Sequence, residues 1–252
     1  MKRLNGKVAV VTGGGGYIGS AIVRALSEEG AMAIAVDLRR EEAEAVAGEI
    51  RAAGGTAEGI GLDITNYDAV RTAFDQLAER HGGIDILVNA AGGSARSRMR
   101  PYHELPMKVL DQVIGMNLFG TLYCIRAAVN HLIRRGGGRI VNIGSIVALG
   151  GKACCVDYAA AKGGILAATR SLAIELGRSG INVNCVSPGL VERNPEAIDQ
   201  AAFAGRYSYL NRICTREDVA STVLYLTLPE SSYITGQNFV IDGGRSLGLK
   251  GD

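Results

Sequence analysis

Apolar positions along this chain follow two alternating patterns. Short runs rich in valine and isoleucine, such as Val8-Ala9-Val10-Val11 and Ile86-Leu87-Val88, are separated by longer stretches in which apolar residues return every three or four positions. The runs predict strands buried on both faces, and the stretches predict amphipathic helices. After the first run, strands are expected at residues 31–37, 56–62, 84–89, 138–145, 181–186 and 238–241, and helices at 17–29, 41–53, 68–79, 107–133 and 216–227, with one more carrying Tyr158 and Lys162. Strand and helix in alternation predict an α/β architecture.

Composition adds bounds. The chain has 252 residues, 47% hydrophobic and 21% charged, which fits one large domain spanning residues 1–252 with a full core. No apolar run is long enough to cross a membrane, and a net charge of +2 gives no argument for nucleic acid. The five cysteines, at 124, 154, 155, 185 and 214, are odd in number and lack paired metal-ligand spacing, so reduced thiols and no metal site are expected. The opening Met1-Lys2-Arg3-Leu4-Asn5-Gly6 is too short and polar for a signal peptide, which implies a cytoplasmic location.

Chemistry concentrates where the predicted strands end. The first runs into Thr12-Gly13-Gly14-Gly15-Gly16-Tyr17-Ile18-Gly19, where Gly13, Gly16 and Gly19 keep the spacing of a dinucleotide turn ahead of a helix N-terminus. A glycine turn also arises for steric reasons alone. The second ends in Asp37, a carboxylate able to accept from ribose hydroxyls and to repel a 2′-phosphate, which favours NAD over NADP. Arg39 and Arg40 follow it, either meeting such a phosphate or facing water. Asp63 ends the third strand, where it can accept from an adenine amino group, while Thr65 and Asn66 can cap the next helix. The fourth ends in Asn89-Ala90-Ala91-Gly92, small enough for something flat to lie against the backbone.

Beyond it, Arg96, Arg98 and Arg100 sit at alternate positions, suiting an anionic substrate, a carrier-protein contact or plain solvation. Asn117 and Gly120 interrupt an apolar helix at a cost in propensity, which points to a kink with a side chain turned toward a water chain. Ser145 closes the fifth strand, and Tyr158 and Lys162 stand one turn apart on one helix face.

These residues, with Pro188-Gly189 and the tail from Ile234-Thr235-Gly236-Gln237 to Asp242-Gly243-Gly244, resemble the short-chain dehydrogenase/reductase family over nearly the whole chain. The resemblance implies a Rossmann-type three-layer sandwich, a doubly wound, mainly parallel seven-stranded sheet with helices on both faces. It implies cofactor contacts from Gly13, Gly16, Tyr17, Ile18 and Gly19, from Asp37 and Leu38, from Asp63 and Ile64, and from Asn89, Ala90, Ala91 and Gly92. Further contacts are implied from Tyr158 and Lys162 and from Pro188, Gly189 and Val191. Tyr158 would be the acid/base, its phenol, ordinarily of pKa about 10, helped toward phenolate by the Lys162 ammonium. Ser145 would hydrogen-bond the substrate oxygen, and Asn117 would hold a relay water.

Three departures stand out. Compact members of the family usually have glycine where Tyr17 stands, a second asparagine where Ala90 stands, and often threonine where Arg193 stands. Residues 192–212 are the expected substrate loop, with Phe203, Tyr207 and Tyr209 as walls or as subunit contacts. A homotetramer is expected by the same likeness. The leading activity is an NAD-dependent alcohol, polyol or hydroxy-acid dehydrogenase. Alternatives are an NADPH-dependent 3-oxoacyl-carrier-protein reductase and a cofactor-binding protein without turnover, the latter disfavoured by the intact Ser145, Tyr158 and Lys162.

Overall fold

A computed structural model describes residues 2–94, 96–191, 193 and 208–247. Among these, β1 (Val8–Thr12), β2 (Met32–Asp37), β3 (Ala57–Gly61), β4 (Ile86–Asn89), β5 (Gly138–Ile143), β6 (Ile181–Pro188) and β7 (Asn238–Ile241) form one sheet in the order β3-β2-β1-β4-β5-β6-β7. Every pairing is parallel, so the sheet is wholly rather than mainly parallel. Such a sheet needs cover on both faces, and alternate residues of β1 show it. Ala9 and Val11 pack with α1 (Tyr17–Glu28), α2 (Arg40–Ala52) and a later helix, Arg216–Thr227. Val8 and Val10 pack with α3 (Tyr67–His81) and two others, Gly120–Arg134 and Val156–Leu176.

Most boundaries move by a residue or two, and three shifts have clear causes. Ile84 and Asp85 precede β4, because the buried Asp85 carboxylate is bound to the Val8 amide at 3.0 Å, to Lys7 at 3.1 Å and to Arg135. These partners hold its carboxyl below the usual range against the opposing effect of burial. β6 runs on to Pro188, which, having no N–H, ends the strand. The long helix over residues 107–133 is α4 (Met107–Ile114), a π-turn (Gly115–Phe119) and α5 (Gly120–Arg134) in succession, with Asn117 in the π-turn. After it come α6 (Val147–Gly150), α7 (Val156–Leu176) and α8 (Arg216–Thr227).

The chain steps outward from β1 through β2 to β3, then returns across β1 to lay down β4 and the rest. Strands β1 and β4 therefore flank the point where the winding reverses, and a crevice opens beyond their carboxyl ends. Among the described residues no helix is long and apolar enough to cross a membrane.

Candidate functional site

The turn after β1 closes on itself and on β2. Gly14 N donates to Val36 O at 2.9 Å, Gly16 N to Gly13 O at 2.9 Å, and Ser20 N to Gly16 O at 2.8 Å, starting α1. Gly13 has φ +67, and a Cβ built on Gly19 would stand 2.0 Å from the Gly13 carbonyl oxygen. The turn thus presses helix against strand as tightly as backbone allows, with the α1 N-terminus facing the crevice. Thr12 Oγ1 accepts from the Ala91 amide at 3.3 Å, tying β1 to β4 at the crevice floor.

At the end of β2, Asp37 Oδ1 accepts from the Arg39 amide at 3.2 Å, and Leu38 is exposed. The Arg39 guanidinium is bound to Glu42 at 2.5 Å. Beyond β3, Asp63 Oδ1 accepts from the Thr65 amide and hydroxyl at 2.9 and 2.7 Å, while Asn66 caps α3 by accepting from Ala69 N at 3.1 Å. Ile64 is buried against Gly120.

Beyond β4 the crevice deepens. Gly92 has φ +151, and a Cβ there would meet Asn117 Oδ1 at 2.4 Å, so glycine is what admits the asparagine. The π-turn carries Asn117 inward. Its Oδ1 accepts from Gly93 N at 3.1 Å, and its Nδ2 donates to Gly93 O at 3.0 Å and Val113 O at 2.8 Å. Both amide hydrogens are thereby committed, and Asn117 can meet a water only as an acceptor.

Ser145 is buried just past β5, its hydroxyl oxygen accepting from Val147 N at 3.2 Å, which leaves the hydroxyl hydrogen to donate elsewhere. On α7, Lys162 is 3% exposed; Nζ donates to Ile143 O at 2.7 Å and lies 5.7 Å from the centre of the Tyr158 ring. Burial pushes the Lys162 ammonium down to about 8, so it is still mostly charged at neutral pH. Past β6, Pro188 O accepts from Ile146 N at 3.2 Å, Gly189 packs on Asp242, and the buried Val191 forms a bridge with Cys214.

Most of the expected residues thus follow the carboxyl ends of β1 to β6, while Asn117 comes from the π-turn and Tyr158 and Lys162 from α7. Residues 192 and 194–207, with Phe203 and Tyr207, are outside the described residues. Tyr209 lies over Gly244 and lines a cavity of about 890 Å³ with Leu190, Ile213 and Val240, and neither Ser145 nor Tyr158 is part of that lining.

Several contacts behind these residues have no period in the sequence. Asn89 Nδ2 donates to Asn142 Oδ1 at 2.8 Å, and Asn142 Nδ2 to Thr169 Oγ1 at 3.0 Å, an amide relay under β4, β5 and α7. The signal was there, a polar residue inside the apolar run Ile140-Val141-Asn142-Ile143. Cys185 lies below Gly144, where burial pushes its thiol up to about 11 and Lys162 pulls the other way. Arg216 lies over Tyr17, which no spacing rule would have found.

A nicotinamide dinucleotide fits what is present. The cradle at Gly13 and Gly19 has no room for any side chain, and the buried Asn89 Oδ1 has no hydrogen-bond partner among the described residues. A doubly wound parallel sheet with such a cradle at its switch point, and with Ser145, Tyr158 and Lys162 on one edge, defines a nucleotide-dependent oxidoreductase. Comparison with known proteins agrees. A family model described as enoyl-(acyl carrier protein) reductase matches residues 16–246. A short-chain reductase, NovJ, of Streptomyces niveus is 40% identical over 94% of this chain and 93% of its own. A 3-alpha-(or 20-beta)-hydroxysteroid dehydrogenase of Mycobacterium tuberculosis is 38% identical over 98% and 92%. A solved short-chain dehydrogenase/reductase from Mycobacterium ulcerans superposes with a TM-score of 0.89 at 29% identity, over 96% of this chain and 90% of that one. The chain belongs to the short-chain dehydrogenase/reductase family of oxidoreductases, which act on CH–OH or carbonyl groups with NAD(H) or NADP(H).

Proposed function

We propose that this protein, acting as one catalytic domain, moves a hydride between NAD(H) and the carbinol or carbonyl carbon of a secondary alcohol or ketone. The observation that carries the reading is the buried Lys162 ammonium 5.7 Å from the Tyr158 ring, on the sheet edge that also bears the phosphate turn. A bound nicotinamide supplies the hydride donor or acceptor. Tyr158 exchanges the proton with the substrate oxygen, and the Lys162 charge favours its phenolate form. With one N–H of Nζ on Ile143 O, Lys162 keeps two others for the nicotinamide ribose. Ser145 gives its free hydroxyl hydrogen to the substrate oxygen. Asn117 accepts from the water that passes the proton to solvent.

Asp37 at the end of β2 supports NAD over NADP, and the Arg39 guanidinium is engaged with Glu42. The test is fluorescence titration with NADH and NADPH. NADH should bind more tightly, and Asp37→Ala should erode the preference by about tenfold, the order expected for one close charge pair in a partly wet site. Tighter binding of NADPH would contradict the assignment and place Arg39 or Arg40 at the 2′-phosphate.

A second reading, reduction of a carrier-linked 3-oxoacyl group, has support from the exposed Arg98 and Arg100 beyond β4 and from the carrier protein named by the matching family model. We also infer a homotetramer, supported by the exposed apolar Phe119, Val156 and Ile174. A 26.4 kDa species in sedimentation would refute it.

A further inference from the structure

Tyr17 and Arg216 each open a helix, and those helices, α1 and α8, pack together. The Arg216 guanidinium lies over the Tyr17 ring, 5.0 Å from its centre. Its place is firmly set. Thr215 and Asp218 cap α8 reciprocally, and Arg212 grips Asp218 with two nitrogens at 2.5 and 2.7 Å, holding that carboxyl down to about 2. Glu217 takes Arg216 Nε at 2.7 Å. Two residues before Arg216, Cys214 forms the bridge with Val191.

Arg216 therefore lies against the first residue after the phosphate turn on one side, and follows by two residues the bridge between Cys214 and Val191 on the other. On the dinucleotide reading of this site, on which this inference rests, these two points flank the middle of the cofactor. The middle is a diphosphate with two negative charges. The turn itself, Gly13-Gly14-Gly15-Gly16-Tyr17-Ile18-Gly19-Ser20, brings no charged side chain to meet them. With Nε on Glu217 and one face on Tyr17, the guanidinium presents its terminal fork, a geometry matched to phosphate oxygens.

We propose that Arg216 is a cofactor-binding residue that donates to the diphosphate, with Tyr17 as the platform that holds it. The test is titration of the whole protein with NADH, ADP and adenosine, using Arg216→Gln and Arg216→Lys beside the unaltered chain, with melting temperatures in parallel. Arg216→Gln should weaken NADH and ADP by about tenfold or more and leave adenosine unchanged, because a charge-assisted contact is lost only where phosphate is present. Arg216→Lys should lose less, and the salt dependence of NADH binding should flatten in Arg216→Gln. Equal NADH and ADP affinities in Arg216→Gln, whatever its melting temperature, would overturn the proposal and leave Arg216 as a staple between two helices. Failure of the unaltered protein to bind NADH would defeat the dinucleotide reading first, and this inference with it.

Discussion

Replacing Lys162 by methionine should cut turnover by about 10³ while leaving the fold as stable as before, or slightly more so. The two effects have one source, a charge buried without an acidic partner. Nζ has the Ile143 carbonyl at 2.7 Å and is 3% exposed. A drop in pKa from 10.5 to about 8 corresponds to roughly 3 kcal/mol by which burial disfavours the ammonium relative to water. Methionine fills the same stem without the charge. Against that gain stands an orphaned Ile143 carbonyl, which costs about 1–3 kcal/mol. The balance is near zero at neutral pH.

The pH dependence has a definite sign. A lysine whose folded pKa lies below its unfolded value carries its full penalty below pH 8, and the penalty fades as pH rises from about 8 to 10.5. Stability of Lys162→Met relative to the unaltered protein should therefore be highest near neutral pH and decline toward about pH 10, as urea unfolding at both pH values would show. Turnover should fall by about 10³, the scale of losing an acid/base partner's activation. A variant more than about 2 kcal/mol less stable at neutral pH would mean that Lys162 is a structural anchor first.

Gly19→Ala should be the most damaging single methyl in the molecule. The added carbon would stand 2.0 Å from Gly13 O and 2.7 Å from Gly13 C, both backbone atoms of the turn. Relief requires lifting α1 off β1, which spoils both the packing of Ile22 and Leu26 beneath it and the line of N–H groups above it. A loss of about 3 kcal/mol or more is expected, beyond the usual range for overpacking because backbone has to yield. NADH affinity should fall by at least about tenfold in the fraction that folds. Gly48→Ala is the matched control. Its site in α2 is open, so the exchange should stabilise by about 0.5–1 kcal/mol through helix propensity. Equal stability of the two variants would show that the turn has slack that the close approach denies.

Much of this is legible in the sequence. Valine- and isoleucine-rich runs mark β1 and β4, which are buried along their whole length, whereas β3 and β7 at the sheet edges are only partly buried and show a weaker pattern, and the glycine spacing marks a tight turn because a Cβ at Gly13 or Gly19 would strike backbone. The interruption at Asn117 and Gly120 signalled a kink, though not that it would be a π-turn whose amide clamps Gly93 rather than reaching freely toward water. Other features escaped for physical reasons. The Asn89–Asn142–Thr169 relay and the Tyr17–Arg216 contact join residues distant in sequence, and pairing of that kind leaves no period to read. Asp85 read as strand because its neighbours are apolar, yet its carboxylate was drawn to Val8, Lys7 and Arg135. Residues 192–212, the expected substrate loop, have a loose pattern that carries no such signal.

The most direct test of the account is the absorbance of reduced nicotinamide when the purified protein and its Tyr158→Phe variant are mixed with NAD and a panel of secondary alcohols. The panel should span hydroxysteroids, polyols, hydroxy acids and 3-hydroxyacyl thioesters. The account predicts that at least one alcohol reduces NAD with the unaltered protein, and that Tyr158→Phe loses about 10³ of that rate while binding NADH as before. Undiminished turnover in Tyr158→Phe, or tight NADH binding with no oxidation anywhere on the panel, would contradict it.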